Sequence, residues 1–218
     1  MAWSEVADNH VWVMDDFLSE NELDLILNNW INPNAEIQQS GMKYLVNPTD
    51  YHYNGVMVKI ANQQEVQTSV ITKLNDLYTK VFGKKAPCTD LNYMQFFLKE
   101  STPNKSFYSL HSEPSVNEKE HFGEGVFMLY LSDEDDGEIV FPSEKDATPL
   151  FTKEYLKTLE EMTVTYSEKT VKIKPKKNRC VVLRTGIPHY VNMCSGTRKC
   201  ISGMSYASDD YKNRWKEK

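Results

Sequence analysis

The sequence predicts a mainly β protein, a sandwich or jelly roll with helices packed outside it, and two observations carry that expectation. Downstream of Asn92, about eight short apolar or aromatic segments alternate with turn-forming residues, at strand length rather than helix length. Upstream, two segments repeat their apolar residues at the spacing of an amphipathic helix instead.

In chain order, Val11-Trp12-Val13-Met14 reads as a short strand. Ser19-Glu20-Asn21-Glu22 then has the form of a capping box, in which the Ser19 hydroxyl serves the third amide of the helix and Glu22 reaches back. Leu23, Ile26, Leu27 and Trp30 give that helix one apolar stripe, and Asn32-Pro33-Asn34 ends it. A second helix is expected from about Gln63 to Val81, with Val66, Val70, Leu74, Leu77, Tyr78 and Val81 on its buried face and Gly83 as its stop. Both stripes are core faces and carry no chemistry.

The strands follow. Tyr93 to Leu98 and Ser106 to His111 are the first candidates. Val126 to Leu131 is apolar without interruption, as expected of a strand covered on both faces. Asp133-Glu134-Asp135-Asp136-Gly137 turns the chain into Glu138 to Pro142; the acidic run lacks the spacing of a calcium loop and reads as a solvated turn. Val171 to Ile173, Cys180 to Leu183, His189 to Val191 and Lys199 to Tyr206 complete the set. Between them, Ser143 to Lys169 is an insertion with a helical, polar stretch at Thr152 to Met162, placed to act as a lid or as decoration.

The composition excludes several classes. Over 218 residues, 40% hydrophobic and 26% charged residues describe an ordinary globular chain with a substantial core. A net charge of -6 argues against a nucleic-acid binder, which needs a basic face. No apolar run reaches membrane-span length, and Met1-Ala2-Trp3-Ser4-Glu5 does not open a secretory signal, so a cytoplasmic protein is expected. Cys88, Cys180, Cys194 and Cys200 form no C-x-x-C pair and are expected as reduced, mostly buried thiols. Oligomeric state leaves no mark in the sequence.

Chemistry is concentrated in two places. His111-Ser112-Glu113 lies near the middle of the chain, and His189 lies far downstream, with Arg198 nine residues beyond it. On a strand, residues two apart share a face, so His111 and Glu113 can aim a nitrogen and an oxygen at one point. Alone, such a tripeptide is a chance surface pair, and a lone histidine is a satisfied core residue. Together, two imidazoles and a carboxylate are the ligand set of non-haem Fe(II) oxygenases, which leave positions open for a cosubstrate and O2. Arg198 and Lys199 are neighbours on a strand, so one of the two points inward and needs an anionic partner. Arg198 has the planar fork that holds a carboxylate of a diacid such as 2-oxoglutarate. His10, His52 and His121 are not placed to join the set.

These residues lie in stretches that resemble the 2-oxoglutarate- and Fe(II)-dependent dioxygenases, specifically the prolyl 4-hydroxylase-like branch. The likeness is carried by Val13 to Glu22, by Phe107-Tyr108-Ser109-Leu110-His111-Ser112-Glu113, by Gly137-Glu138-Ile139-Val140-Phe141-Pro142, and by Lys174 to Leu183 continuing through His189 and Gly196-Thr197-Arg198, in the family's order. The resemblance implies one oxygenase domain over residues 1–218, a distorted double-stranded β-helix with helical support mainly in 19–82 and a loop insertion at about 143–169. It implies His111, Glu113 and His189 as iron ligands and catalytic centre, Arg198 as the 2-oxoglutarate anchor and Tyr108 as a further cosubstrate contact. It implies Fe(II), 2-oxoglutarate and O2, with ascorbate as an accessory, and hydroxylation of a prolyl residue in a peptide or protein. The family's usual aspartate is Glu113 here, its lysine anchor is Arg198, and its threonine is Ile139. A free amino acid or other small molecule is therefore the alternative substrate. A β-helix module that binds a metal or ligand without turnover is the alternative from another class.

Overall fold

The computed structural model describes residues 2–7, 10–31, 55–59, 64–82, 95–101, 103–104, 108–112, 125–151 and 164–205. These hold strands β1 (Ser4–Ala7), β2 (Val11–Met14), β3 (Gly55–Lys59), β4 (Gln95–Ser101), β5 (Tyr108–His111), β6 (Gly125–Tyr130), β7 (Ile139–Phe141), β8 (Val171–Ile173), β9 (Cys180–Arg184), β10 (His189–Val191) and β11 (Lys199–Ser205). Helices α1 (Glu20–Ile31) and α2 (Gln64–Phe82) precede most of the strands, and a short α3 (Glu144–Ala147) follows β7.

The strands form two antiparallel sheets. The larger runs β1-β2-β9-β6-β11-β4-β3 and the smaller β5-β10-β7-β8. Strands remote in sequence thus become neighbours, as a jelly roll requires. The Val126 to Leu131 run shows why both faces had to be apolar. Phe127 and Leu129 face α1 and α2, packing with Leu23, Ile26, Val70, Leu74, Leu77 and Tyr78. Val126, Met128 and Tyr130 face the other way, into the space between the sheets, with Val181, Leu183, Ile139, Phe141 and Val191. Strand alternation divides one sequence between two cores.

The capping box forms: Ser19 N–H donates to the Glu22 carboxylate at 2.8 Å, and Glu22 N–H to Ser19 Oγ at 3.4 Å. Helix α1 ends at Ile31, while the expected stops at Asn32-Pro33-Asn34 and Gly83, and the helical stretch from 152 to 162, lie outside the described residues. Strands β1 and β3 are additions to the expected set. Ser4–Ala7 shows three exposed residues and one buried, a pattern too polar to announce a strand; it is an edge held by β2. The described part of the 143–169 insertion packs on the back of the smaller sheet, where Ala147, Phe151, Val164 and Tyr166 meet Leu110 of β5 and Tyr190 of β10. Cys180, Cys194 and Cys200 are reduced and buried, as expected, and Cys88 is outside the described residues. No described helix is long and apolar enough to cross a membrane.

An ionic clamp joins the start of the chain to the loop before β9. Asp15 accepts from Arg179 Nε at 2.6 Å, from Arg179 Nη2 at 3.0 Å and from Lys176 Nζ at 2.8 Å. Beside it, the Asn178 side chain accepts from Leu18 N–H and donates to Leu18 C=O, both at 2.8 Å. The Arg179 hydrogen bond foremost, helped by Lys176 and opposed by partial burial, holds the Asp15 carboxyl down at about 2 from an ordinary 3.8. A depressed carboxylate stabilises the fold above its unfolded value and ceases to do so as pH falls through its folded value. The side chain is 36% exposed, so solvent screening limits the effect. Asp15→Asn should therefore lower stability at pH 7 by about 1 kcal/mol. The gap to wild type, read from urea unfolding, should close as pH falls from 4 toward 2.

Candidate active site

Strand β10 pairs antiparallel with β5, and His189 stands directly across from His111. Their ring centroids lie 4.3 Å apart with the planes tilted by 54°. Phe141 of β7 flanks His189, centroid to centroid 5.8 Å. The next pair in the ladder is Val191 with Tyr108, so three residues of β5 run against two of β10. That irregularity is a β-bulge, the device by which a strand re-aims its residues. It is why positions 108 and 111, an odd number apart, both stand opposite residues of β10 that are themselves two apart.

His189 is 5% exposed, and its Nδ1 lies 3.1 Å from the Ile187 carbonyl oxygen. A carbonyl oxygen only accepts, so Nδ1 carries the proton and Nε2 presents its lone pair. This is the usual second contact of a metal-binding imidazole. The local chain makes it possible: Gly186 takes φ 89°, which a side chain disfavours, and its carbonyl accepts from Thr165 N–H at 2.9 Å. His111 is half-buried and Ser112 buried. Glu113 lies outside the described residues, and among those described no group of three metal-binding side chains assembles.

Of the adjacent pair Arg198 and Lys199, Arg198 is the inward one, at 3% exposure. Lys199 points to the other face, its Nζ 3.6 Å from the Glu100 carboxylate. Arg198 is clamped at backbone and side chain. Its N–H donates to Ser101 Oγ at 2.8 Å, its carbonyl accepts from Ser101 N–H at 2.9 Å, and Nη1 donates to the Gly137 carbonyl at 2.7 Å. Gly137 has φ 78°, and a Cβ there would sit 2.8 Å from Cys194 Cβ and 3.2 Å from Arg198 Nη1. Only glycine lets the turn close over the guanidinium.

The acidic turn is more than the solvated turn expected. Asp136 accepts Ser195 N–H at 2.9 and 3.1 Å, and Asp133 accepts Lys177 N–H at 2.9 Å. The Ser195 amide foremost lowers the Asp136 carboxyl below its ordinary 3.8. The turn docks on the loop that leads to Arg198, with Asp133 and Asp136 accepting from backbone amides. Of the remaining histidines, His10 sits in the β1–β2 turn, donating to Ala7 O at 2.6 Å, and His52 and His121 lie outside the described residues.

One residue escaped the reading of the sequence. Tyr130 stands opposite Cys200 in the ladder, on the inter-sheet face with Arg198. It is fully buried, and its phenol oxygen has no hydrogen-bond partner among the described residues. Burial raises its pKa, with the positive charge of Arg198 working against that, so the phenol is protonated. A buried hydroxyl left without a partner costs about 1–3 kcal/mol, which a ligand acceptor beside Arg198 would recover. The signal was present: a tyrosine on the strand phase otherwise held by Val126 and Met128. A guanidinium and an orphaned phenol fit a carboxylate, and two adjacent imidazoles with one nitrogen fixed fit a metal ion.

No protein-family model matches the sequence, and no curated protein matches it. Solved structures do match the fold. The viral collagen prolyl hydroxylase of Paramecium bursaria Chlorella virus-1, in its 2OG complex, is 17% identical at a TM-score of 0.58, covering 91% of this chain and 97% of that one. A Pseudomonas putida prolyl-4-hydroxylase is 14% identical at 0.59, covering 91% and 94%. The non-heme alpha-ketoglutarate-dependent carbocyclase SnoK of nogalamycin biosynthesis is 9% identical at 0.60, covering 92% and 80%. The chain has the double-stranded β-helix fold that these 2-oxoglutarate–Fe(II) oxygenases share.

Proposed function

We propose that this chain, as one domain, is an Fe(II)- and 2-oxoglutarate-dependent dioxygenase, with His111, Glu113 and His189 as iron ligands and Arg198 and Tyr130 as the diacid site. The observation that carries the reading is the direct pairing of His111 with His189, rings 4.3 Å apart, in a fold that also buries Arg198. When bound, ferrous iron with 2-oxoglutarate and O2 supplies the oxidising power for hydroxylation.

The protein's own part is positional. Ile187 O fixes the His189 tautomer and ring, so that Nε2 faces the metal position without reorganisation. Arg198, held by Gly137 O and the Ser101 pair, offers the rest of its fork to a carboxylate, and the Tyr130 phenol donates the neighbouring hydrogen bond. Ile139, Phe141, Val181 and Val191 pack into the apolar cluster between the sheets, with Phe141 against His189, which keeps that side of the histidine dry. Glu113 completes the triad from the residue following Ser112, and Tyr108 adds a second aromatic contact from the start of β5.

The substrate assigned is a prolyl residue in a peptide or protein, supported by the similarity of fold to two prolyl hydroxylases. The comparable similarity to a carbocyclase favours a small-molecule substrate as the second reading. The reaction is proposed to run in the cytoplasm, with ascorbate keeping the iron reduced.

Anaerobic addition of Fe(II) and 2-oxoglutarate should produce a visible metal-to-ligand charge-transfer band, and His189→Ala should abolish it. Fully iron-loaded protein without that band would favour a binding module instead. Tyr130→Phe should keep the band but weaken 2-oxoglutarate about tenfold, the worth of one hydrogen bond to a charged group. Succinate release with a proline-rich peptide panel, set against free amino acids and small ring compounds, separates the two substrate readings.

A further inference from the structure

The 143–169 insertion reaches the paired histidines from behind. Tyr190 follows His189 on β10 and so faces the opposite side of the smaller sheet. Leu110 precedes His111 on β5 and shares one apolar cluster with Tyr190. The insertion supplies the rest of that cluster: Ala147 and Phe151 on its outgoing side, Val164 and Tyr166 on its return. Phe151 is the buried aromatic ring among them, at 9% exposure.

A second contact is made by backbone. Thr165 N–H donates to the Gly186 carbonyl at 2.9 Å, although Thr165 itself is exposed. The next carbonyl, that of Ile187, holds His189 Nδ1 at 3.1 Å. The hydrogen bond from the insertion and the hydrogen bond to the imidazole thus fall on consecutive peptide units. The two ends of the insertion are also tied together. Ser143 N–H donates to Thr170 Oγ1 at 3.1 Å, and Asp146 accepts from both Ser143 Oγ and Thr170 Oγ1. Ser143 and Ser167 form a parallel bridge beside them. A segment fixed at its base and close-packed on its inner side resists displacement of whatever it touches.

We propose that the insertion braces the histidine pair, and that Phe151 is a positioning residue for His189, acting through Tyr190 and the 164–166 return segment. That role differs from lid and from decoration: it fixes the direction of the imidazole from the side away from the metal position. The inference rests on the metal-binding reading above. Groups that orient a ligating imidazole are worth about 10–100-fold in metal affinity.

Two measurements on the full chain test it. One is Mn(II) affinity by calorimetry, and the other is solvent exchange of the His189 Nδ1–H in metal-free protein, followed by NMR. Phe151→Ala should weaken Mn(II) binding about tenfold and speed the exchange to a similar degree. Leu23→Ala truncates a similarly buried side chain in the helix-side core and should change neither. Phe151→Leu, which keeps most of the volume, should restore both readouts. If Phe151→Ala does not fold, Tyr166→Ala takes its place, since that ring is only half-buried, and should move both readouts the same way. A folded variant of the brace with wild-type affinity and exchange overturns the proposal. So does a Leu23→Ala protein that shifts both readouts equally, because the effect would then belong to overall stability. Wild-type protein that binds no Mn(II) overturns the metal reading, and exchange at His189 Nδ1 alone then decides the brace.

Discussion

The pairing of β5 with β10 is the constraint on which the candidate site depends. It joins a segment near residue 110 to one near residue 190 by backbone hydrogen bonds, and it leaves two imidazoles side by side with their planes tilted by 54°. Among the described strands β5 pairs with β10 alone, because β5 is the edge of its sheet. The strands stay where they are because both sides are covered. The inter-sheet core lies in front, and the aromatic and aliphatic side chains of the 143–169 insertion lie behind. A site on packed strands keeps its geometry better than one on loops.

The second organising feature is electrostatic. Arg198 is a buried cation whose cost is met in part by Gly137 O, which accepts from the guanidinium, and by the protonated Tyr130 nearby, while Ser101 satisfies only its backbone. These groups are dipoles rather than anions. Dipoles lower the cost of burying a charge without cancelling it, so the guanidinium retains an appetite for a carboxylate. The acidic turn could have supplied one, yet Asp133 and Asp136 are spent on the Lys177 and Ser195 amides. The turn shapes the arginine's surroundings while keeping its own charges out of them.

Much of this was legible in the residues, for identifiable reasons. Apolar period gave both helices and most strands, because those elements bury one or both faces. The capping box announced α1 because its hydrogen bonds are local to four residues. Alternation required one of Arg198 and Lys199 to point inward, the bidentate fork favoured Arg198, and Arg198 is the buried one. Strand β1 was not legible, since its order comes from β2 and not from its own polar sequence. Tyr130 was missed because a tyrosine in an apolar run reads as core until its phenol is seen to lack a partner. The docking of the acidic turn escaped because its partners lie 44 and 59 residues away.

The bulge between β5 and β10 has a consequence for how this segment tolerates length change. The surplus residue lets Tyr108 and His111, three apart, both stand across from β10 residues that are two apart. Deleting it would restore regular two-for-two pairing and leave the ladder's facing as it is. A one-residue deletion at the bulge is thus the length change this stretch absorbs, whereas the same deletion within a regular ladder would turn the residues beyond it over to the opposite surface.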